Sequence, residues 1–372
     1  MNISKITNAE AIALLTIIMA NKIILSLPEI IISSTGSSAW LNTLYIIIIA
    51  FVFVLVVSKL MKTFPDFDIL DVSEYVGGKL LKWITGITQV IILILIANIV
   101  LRSFSYTLKT IYFKQSPILF IVLLMVFTIV IANKLGIKSI SKICLYIMPL
   151  AYVGLIILLL APASDFEFQR IFPLLGYGLD ATFFSGISNL FALSGLGYIF
   201  LLPPILKENT QLKKITLISL TFSSIALFFS ILCMLFIFSF HINTNENMTL
   251  YLLTMVVHHG NVIHGINIIF MLVWILSIIA YVSTTIFFVL LILRKLGNID
   301  NISPVNYSIS MLLLSSSIIF QNYPQFFSTV QNLLIKVVLY FVFIFEPLLL
   351  LFSNVKHKFK SHRMSIIRKE QS

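Results

Sequence analysis

The chain has 372 residues, 59% of them hydrophobic and only 10% charged, with a mean hydropathy of +1.06. An ordinary soluble domain carries roughly 25% charged residues and could not hide this much apolar surface, so a cytosolic enzyme, a disordered chain and a fibrous chain are excluded. The net charge of +11 sits in short segments between apolar runs, which is the pattern of membrane orientation and not of nucleic-acid binding.

A membrane-crossing helix takes about 20 mostly apolar residues. Ten such runs are predicted, at about 9–32, 41–61, 83–106, 117–133, 142–161, 183–205, 215–240, 265–293, 304–320 and 333–353. Their length and uniform apolarity argue against alternating barrel strands. The expected fold is all-α and polytopic, one transmembrane domain over 1–372 with a basic tail at 354–372. The first run is long and lacks a small-residue cleavage site, so no cleavable signal peptide is expected. With the N-terminus placed in the cytoplasm, 19 of the 25 Lys and Arg fall on the cytoplasmic side and 5 outside. That asymmetry puts both termini inside. Cys144 and Cys233 lie in apolar runs and read as small apolar side chains. The basic residues from Lys356 to Lys369 read as a patch on anionic lipid headgroups, with a binding arm as the other reading.

Polar residues inside a bilayer are costly and mark candidate sites. In span 1, Asn21 and Lys22 sit near the middle, with Ile23 beside them and Ser26-Leu27-Pro28-Glu29 following. Pro28 removes a donor and frees a carbonyl about one turn earlier. Either Asn21 and Lys22 line a central cavity, or the helix is displaced and Lys22 reaches an interface. In span 6, Ser194-Gly195-Leu196-Gly197 precede Pro203-Pro204. Two glycines in one turn weaken a helix, and unwound backbone in a membrane must face protein or water; close helix packing through small residues is the alternative.

Spans 1 and 6 open the two groups of five. Interrupted helices at matching positions of two halves point to a transporter-type site on inverted repeats. The repeats would run over about 9–161 and 183–353. Around the breaks, Asn98 and Arg102 share a face of span 3, with Arg102 read as an interfacial anchor. Ser277, Tyr281, Ser283 and Thr284 lie on span 8, where a hydroxyl bonding back to its own helix is the plain reading. Glu346-Pro347 is expected near the inner interface. His258, His259 and His264 lack the spacing and carboxylates of a metal site, and no catalytic constellation is visible, so neither an enzyme nor a cofactor is expected.

The ordered features resemble the endospore germination permease family, the B subunits of spore nutrient-germinant receptors, within the amino acid/polyamine/organocation transporter superfamily. The likeness rests on Leu25-Ser26-Leu27-Pro28, Phe64-Pro65 with the Glu74 to Gly78 segment, and Val100-Leu101-Arg102. It rests also on the run from Ile171 through Phe172-Pro173 and Gly176 to Gly178, and on Phe200-Leu201-Leu202-Pro203. The resemblance implies ten helices in a five-plus-five, leucine-transporter-like inverted repeat. Ligand would lie between broken helices 1 and 6, with helices 3 and 8 completing the pocket and Asn21, Lys22, Ser194, Gly195 and Gly197 at its centre. It implies a receptor A subunit and a lipid-anchored C subunit as partners, the spore inner membrane as location, and an amino acid or similar small nutrient as ligand. Asn21-Lys22-Ile23 stand where family members often carry glycines, and span 6 lacks an acid. Lys22 thus replaces a coupling cation, neutralises a ligand carboxylate, or fills the place of a ligand ammonium. The main functional expectation is a nutrient-sensing subunit. The rival is an autonomous proton-coupled amino-acid permease with Lys22 as its proton-responsive group, and a third reading is a packing scaffold.

Overall fold

In lipid no water satisfies the backbone, so an apolar run closes its hydrogen bonds within itself by becoming a helix. A computed structural model of the chain describes residues 4–25, 27–207, 211–238, 262–322 and 324–370. Span 1 is two helices, α1 (Asn8–Leu25) and α2 (Leu27–Thr35), followed by a 3-10 turn and α3 (Ala39–Met61). Pro28 falls in the first turn of α2, where its missing N–H costs no intrahelical bond. Then come α4 (Ile69–Ile111), α5 (Ile118–Leu135) and α6 (Ile137–Leu160). Span 6 is a π turn (Asp180–Phe184) running into a tightly wound 3-10 stretch (Ser185–Phe200). After it follow α7 (Leu212–Ile237), α8 (Val262–Gly297), α9 (Ser303–Asn322) and α10 (Pro324–Tyr340). A second π turn (Phe341–Phe345) leads into α11 (Glu346–Glu370).

Helical segments overlie each of the ten predicted runs among the described residues. Among the described residues eight helical stretches are long and apolar enough to cross a membrane, and α1 and α9 are not among them. Ile48, Phe127 and Leu150 stay exposed on α3, α5 and α6, an apolar outer surface suited to lipid. α1 is central: it packs on α6, α7, α8 and the 180–200 helix. Both cysteines are buried and unbridged.

The predicted loop 62–82 holds a helix instead. Asp68 caps α4, accepting from the backbone N–H of Leu70 and Asp71 at 3.1 Å each, and the Asp71 side chain accepts from Asp68 N–H at 3.2 Å. This reciprocal cap starts the helix well before the apolar run does. The helix breaks at Gly77 and at Gly78 (φ 71°), so a short segment precedes the membrane-crossing part. Lys295 of α8 lies 2.6 Å from Asp68 and 2.7 Å from Asp71, tying that segment to the bundle. The basic tail continues the last helix. It is helical through Glu370, and Lys356 Nζ donates to Tyr75 O at 2.8 Å, where carbonyls are released ahead of the Gly77 break. His258 and His259 lie outside the described residues, as does Ser26, and the His264 side chain is likewise not described.

Candidate functional site

The two interrupted helices run antiparallel. Ile6, just ahead of α1, pairs with the chain leaving the 180–200 helix: Ile6 N–H donates to Ile205 O at 2.9 Å and Lys207 N–H to Ile6 O at 3.0 Å. At the opposite end, Tyr177 N–H donates to Thr35 O at 3.2 Å, and Ser37 Oγ to Pro173 O at 2.6 Å. Ser38 and Thr182 hydroxyls meet at 2.7 Å, and Asn42 Nδ2 donates to Thr182 O at 2.7 Å. The start of each helix sits beside the end of the other, as inverted halves require.

Midway, the breaks meet. The 180–200 helix leaves helical geometry at Leu193 (φ −101°, ψ 15°), and Ser194 follows directly. Lys22 Nζ donates to Ser194 Oγ and lies 4.5 Å from the centroid of the Phe191 ring, whose face attracts a cation. Lys22 and Ser194 are both buried. No carboxylate pairs with Lys22 among the described residues. An ammonium has three donors, so a hydroxyl and a ring leave it short of partners.

A cavity of about 60 Å³ opens beside Lys22, enough for roughly four waters or a few ligand atoms. Its walls are Lys22, Leu27 and Ile30 of the broken span 1, Phe191, Ile96, Ile99, Val100 and Ser103 of α4, and Gln331 and Leu334 of α10. The lining is mostly apolar with a few convergent polar groups, the usual make-up of a small-molecule site. α2 starts at this wall, so the positive end of its dipole lies at the cavity.

The structure brings only part of the expected set together. Lys22 lines the cavity and Ser194 holds it. Asn21 turns to α8, where its Nδ2 donates to Ser277 O at 2.9 Å; the Ser277 hydroxyl bonds back to Val273 O, also at 2.9 Å. Tyr281 is buried with Tyr198 and Thr285, the latter two hydroxyls 2.8 Å apart. α10, and not α8, supplies that wall of the cavity; Ser277 and Tyr281 of α8 make their bonds inside the bundle. Asn98 faces α9, accepting from Ser316 Oγ at 2.6 Å. Arg102 stands over the Tyr106 ring at 5.7 Å. Ile23 is in the apolar core. The glycines serve helix contact: a Cβ at Gly195 would lie 2.7 Å from Met19 Cγ, and one at Gly197 2.9 Å from Val342 Cγ2. Glu346, expected near the inner interface, is fully buried within the protein.

Comparison with known proteins decides the family. A profile described as spore germination protein matches residues 5–325.

The chain belongs to the spore germination protein family.

Spore germination protein B2 of Bacillus subtilis (strain 168) is 22% identical over 227 residues, which is 61% of this chain and 61% of that protein. The alignment thus spans less than two thirds of the relative. Two solved structures of the Eremococcus coleocola manganese transporter share the fold. A histidine-to-alanine mutant superposes with a TM-score of 0.58 at 11% identity, covering 92% of this chain and 76% of that one. The complex with an aromatic bis-isothiourea substituted compound gives 0.52 at 11% identity, with the same coverage. At that identity the likeness concerns the fold alone. This germination protein is therefore an integral membrane protein of permease type with a transporter fold.

Within the germination protein, the sequence reading missed Phe191, Ser103 and Gln331. Phe191 lies about one turn before Ser194, and an aromatic at that spacing from a break was the available signal. Gln331 fell in a predicted loop, because the polar stretch ahead of span 10 hid an amphipathic start to α10.

Proposed function

We propose that this germination protein is the membrane-embedded nutrient-sensing subunit of a spore germinant receptor. A small nutrient, an amino acid or similar molecule, binds in the cavity between the interrupted helices. The observation that carries this reading is Lys22: a buried ammonium at a cavity wall, held by a hydroxyl and a ring face, with no acid paired to it among the described residues. A ligand carboxylate completes its coordination and sits at the positive end of α2. Gln331 and Ser103 are placed to receive the polar remainder of the ligand. Binding favours one of two arrangements of the broken helices and shifts the population between them. The shift passes to an A subunit and a lipid-anchored C subunit in the spore inner membrane. Both termini face the cytoplasm, the two repeats cover about 9–161 and 183–353, and no reaction is catalysed.

The transporter fold of the two structural neighbours favours a second reading, an autonomous proton-coupled amino-acid permease using the same cavity. Two experiments decide. Spores whose only copy carries Lys22→Met are challenged with a panel of single amino acids, with protein level checked by immunoblot. Loss of one charge-assisted contact shifts the effective nutrient concentration by about 10-fold or more. Unchanged dose-response curves for every nutrient at normal protein level would overturn the site. Uptake of labelled amino acids by the purified protein in liposomes, without partners, would replace the receptor reading with the permease.

A further inference from the structure

Glu346 has no place in the nutrient cavity, yet it is the most deeply buried carboxylate described. Its relative exposure is 0%. Gln89 of α4 donates from Nε2 to Glu346 Oε1 at 3.1 Å. Glu346 Oε2 has no partner, and neither does Gln89 Oε1. No cation pairs with it among the described residues.

The elements packed on α11 are α3, α4 and the Phe341–Phe345 turn, and that turn in turn touches α10 and the 180–200 helix. α4 presents Gln89. Lys59 of α3, Lys336 of α10 and Lys356 of α11 itself are exposed. Lys82 of α4 is paired with Glu74, and Tyr198 of the 180–200 helix is bonded to Thr285. A lone carboxylate in an apolar interior is too costly to stay bare. It must carry a proton or hold a metal cation. A hard cation takes around six oxygens, and among the described side chains beside it only Glu346 Oε2 and Gln89 Oε1 are without a partner, so the proton is the simpler fit and the sodium arm of the test below decides against the cation.

The local backbone is irregular for two independent reasons. The π turn Phe341–Phe345 ends where Glu346 N–H donates to Phe341 O, and Pro347 then removes the next donor. π turns inside helices recur at functional positions. The same turn touches the nutrient site's scaffold. Val342 packs on Gly197, and Phe343 lies 4.8 Å from Phe53, itself 6.3 Å from Phe200. Upstream, α10 carries the cavity walls Gln331 and Leu334.

The geometry points to Glu346 as a proton-binding site that locks the start of α11 against α4. The proton sits on the carboxyl in the state described. Its release, as one proton to the aqueous phase, leaves an anion that Gln89 alone does not satisfy, so the π turn must move. This inference does not depend on which molecule occupies the cavity.

The test uses the full-length protein in lipid nanodiscs. Infrared difference spectra between acid and alkaline buffer, in sodium-free and sodium-containing solution, are compared for wild type and Glu346→Gln, which is isosteric and permanently neutral. Wild type is expected to show a protonated-carboxyl band at neutral pH, absent in the variant and insensitive to sodium. In parallel, deuterium uptake of the segment spanning Phe341–Phe345, corrected for intrinsic exchange, is expected to rise as that band disappears and to stay flat in Glu346→Gln. Absence of the band from wild type, its persistence in the variant, or a carboxylate spectrum that follows sodium would overturn the site. Identical exchange profiles in the two proteins would overturn the lock. Matching gel-filtration profiles establish that both proteins are folded.

Discussion

Lys22 donates to Ser194 across the meeting point of the two broken helices, an ammonium on one break held by a hydroxyl on the other. A hydrogen bond to a charged group contributes about 1.5–3 kcal/mol. Ser194→Ala is therefore expected to lower the thermal midpoint of the purified protein by several degrees in the absence of nutrient. Lys22→Met removes the charge that needs satisfying, so the double variant should lose less than the two single losses combined. A thermal-shift cycle over the four proteins checks this, and simple additivity would mean that the two groups do not interact.

Gly195 is where the 180–200 helix comes down on α1. A Cβ there would lie 2.7 Å from Met19 Cγ and 3.2 Å from Ile18 Cγ2. Gly195→Val is expected to cost about 1–3 kcal/mol through overpacking and to reduce the amount of protein in the membrane. Met19→Ala opens the space and should restore part of the loss. Gly197→Val meets Val342 and should be relieved by Val342→Ala instead, with immunoblot of membrane fractions as the readout in both cases.

Gly176 combines an unusual backbone with a close approach. Its φ is +48°, and a Cβ would run into the carbonyl oxygen of Thr35 and lie 2.7 Å from Ser38 N. Left-handed geometry costs an alanine about 1–2 kcal/mol, and these neighbours are backbone atoms that cannot step aside. Gly176→Ala should lower the thermal midpoint more than alanine at Gly178, which has positive φ but open space around it. Equal effects would mean that contact with the end of α2 contributes nothing.

Lys295 lies 2.6 Å from Asp68, whose side chain is 1% exposed. Lys295→Met leaves that carboxylate buried beside Asp71 without its cation and is expected to destabilise the protein by about 3 kcal/mol. Adding Asp68→Asn keeps a good N-cap and removes the stranded charge, so the double variant should be more stable than Lys295→Met alone. Thermal unfolding in detergent discriminates; a double variant no better than the single one would rule out charge burial as the cause.

The interruption of span 1 was legible through Pro28, which has no N–H to bond back across the break; that of span 6 was legible only in its neighbourhood, since it falls at Leu193, just ahead of the Ser194 to Gly197 run, while Gly195 and Gly197 serve helix contact. The short helix before span 3 was legible in principle through the Asp68-x-x-Asp71 cap, but the prediction followed hydropathy and left it as loop. The true cavity walls were not legible. Asn98 and Ser277 look like cavity groups on polarity alone, yet Asn98 is bonded to Ser316 of α9 and to its own helix and the Ser277 hydroxyl bonds back to Val273, while the neutral Phe191 and Gln331 form the wall.

By itself the sequence determined that the chain lives in lipid, crosses it as helices, and breaks two of them, because hydropathy and helix-breaking residues act locally. Only the tertiary structure decided which faces meet. When a helix is apolar on every side, its lipid face and its protein face read alike, so rotation about the axis leaves no trace in the pattern. Close packing at Gly195 and Gly197 and a few buried polar bonds fix that rotation. They are what bring Lys22 to Ser194 and leave Glu346 facing Gln89.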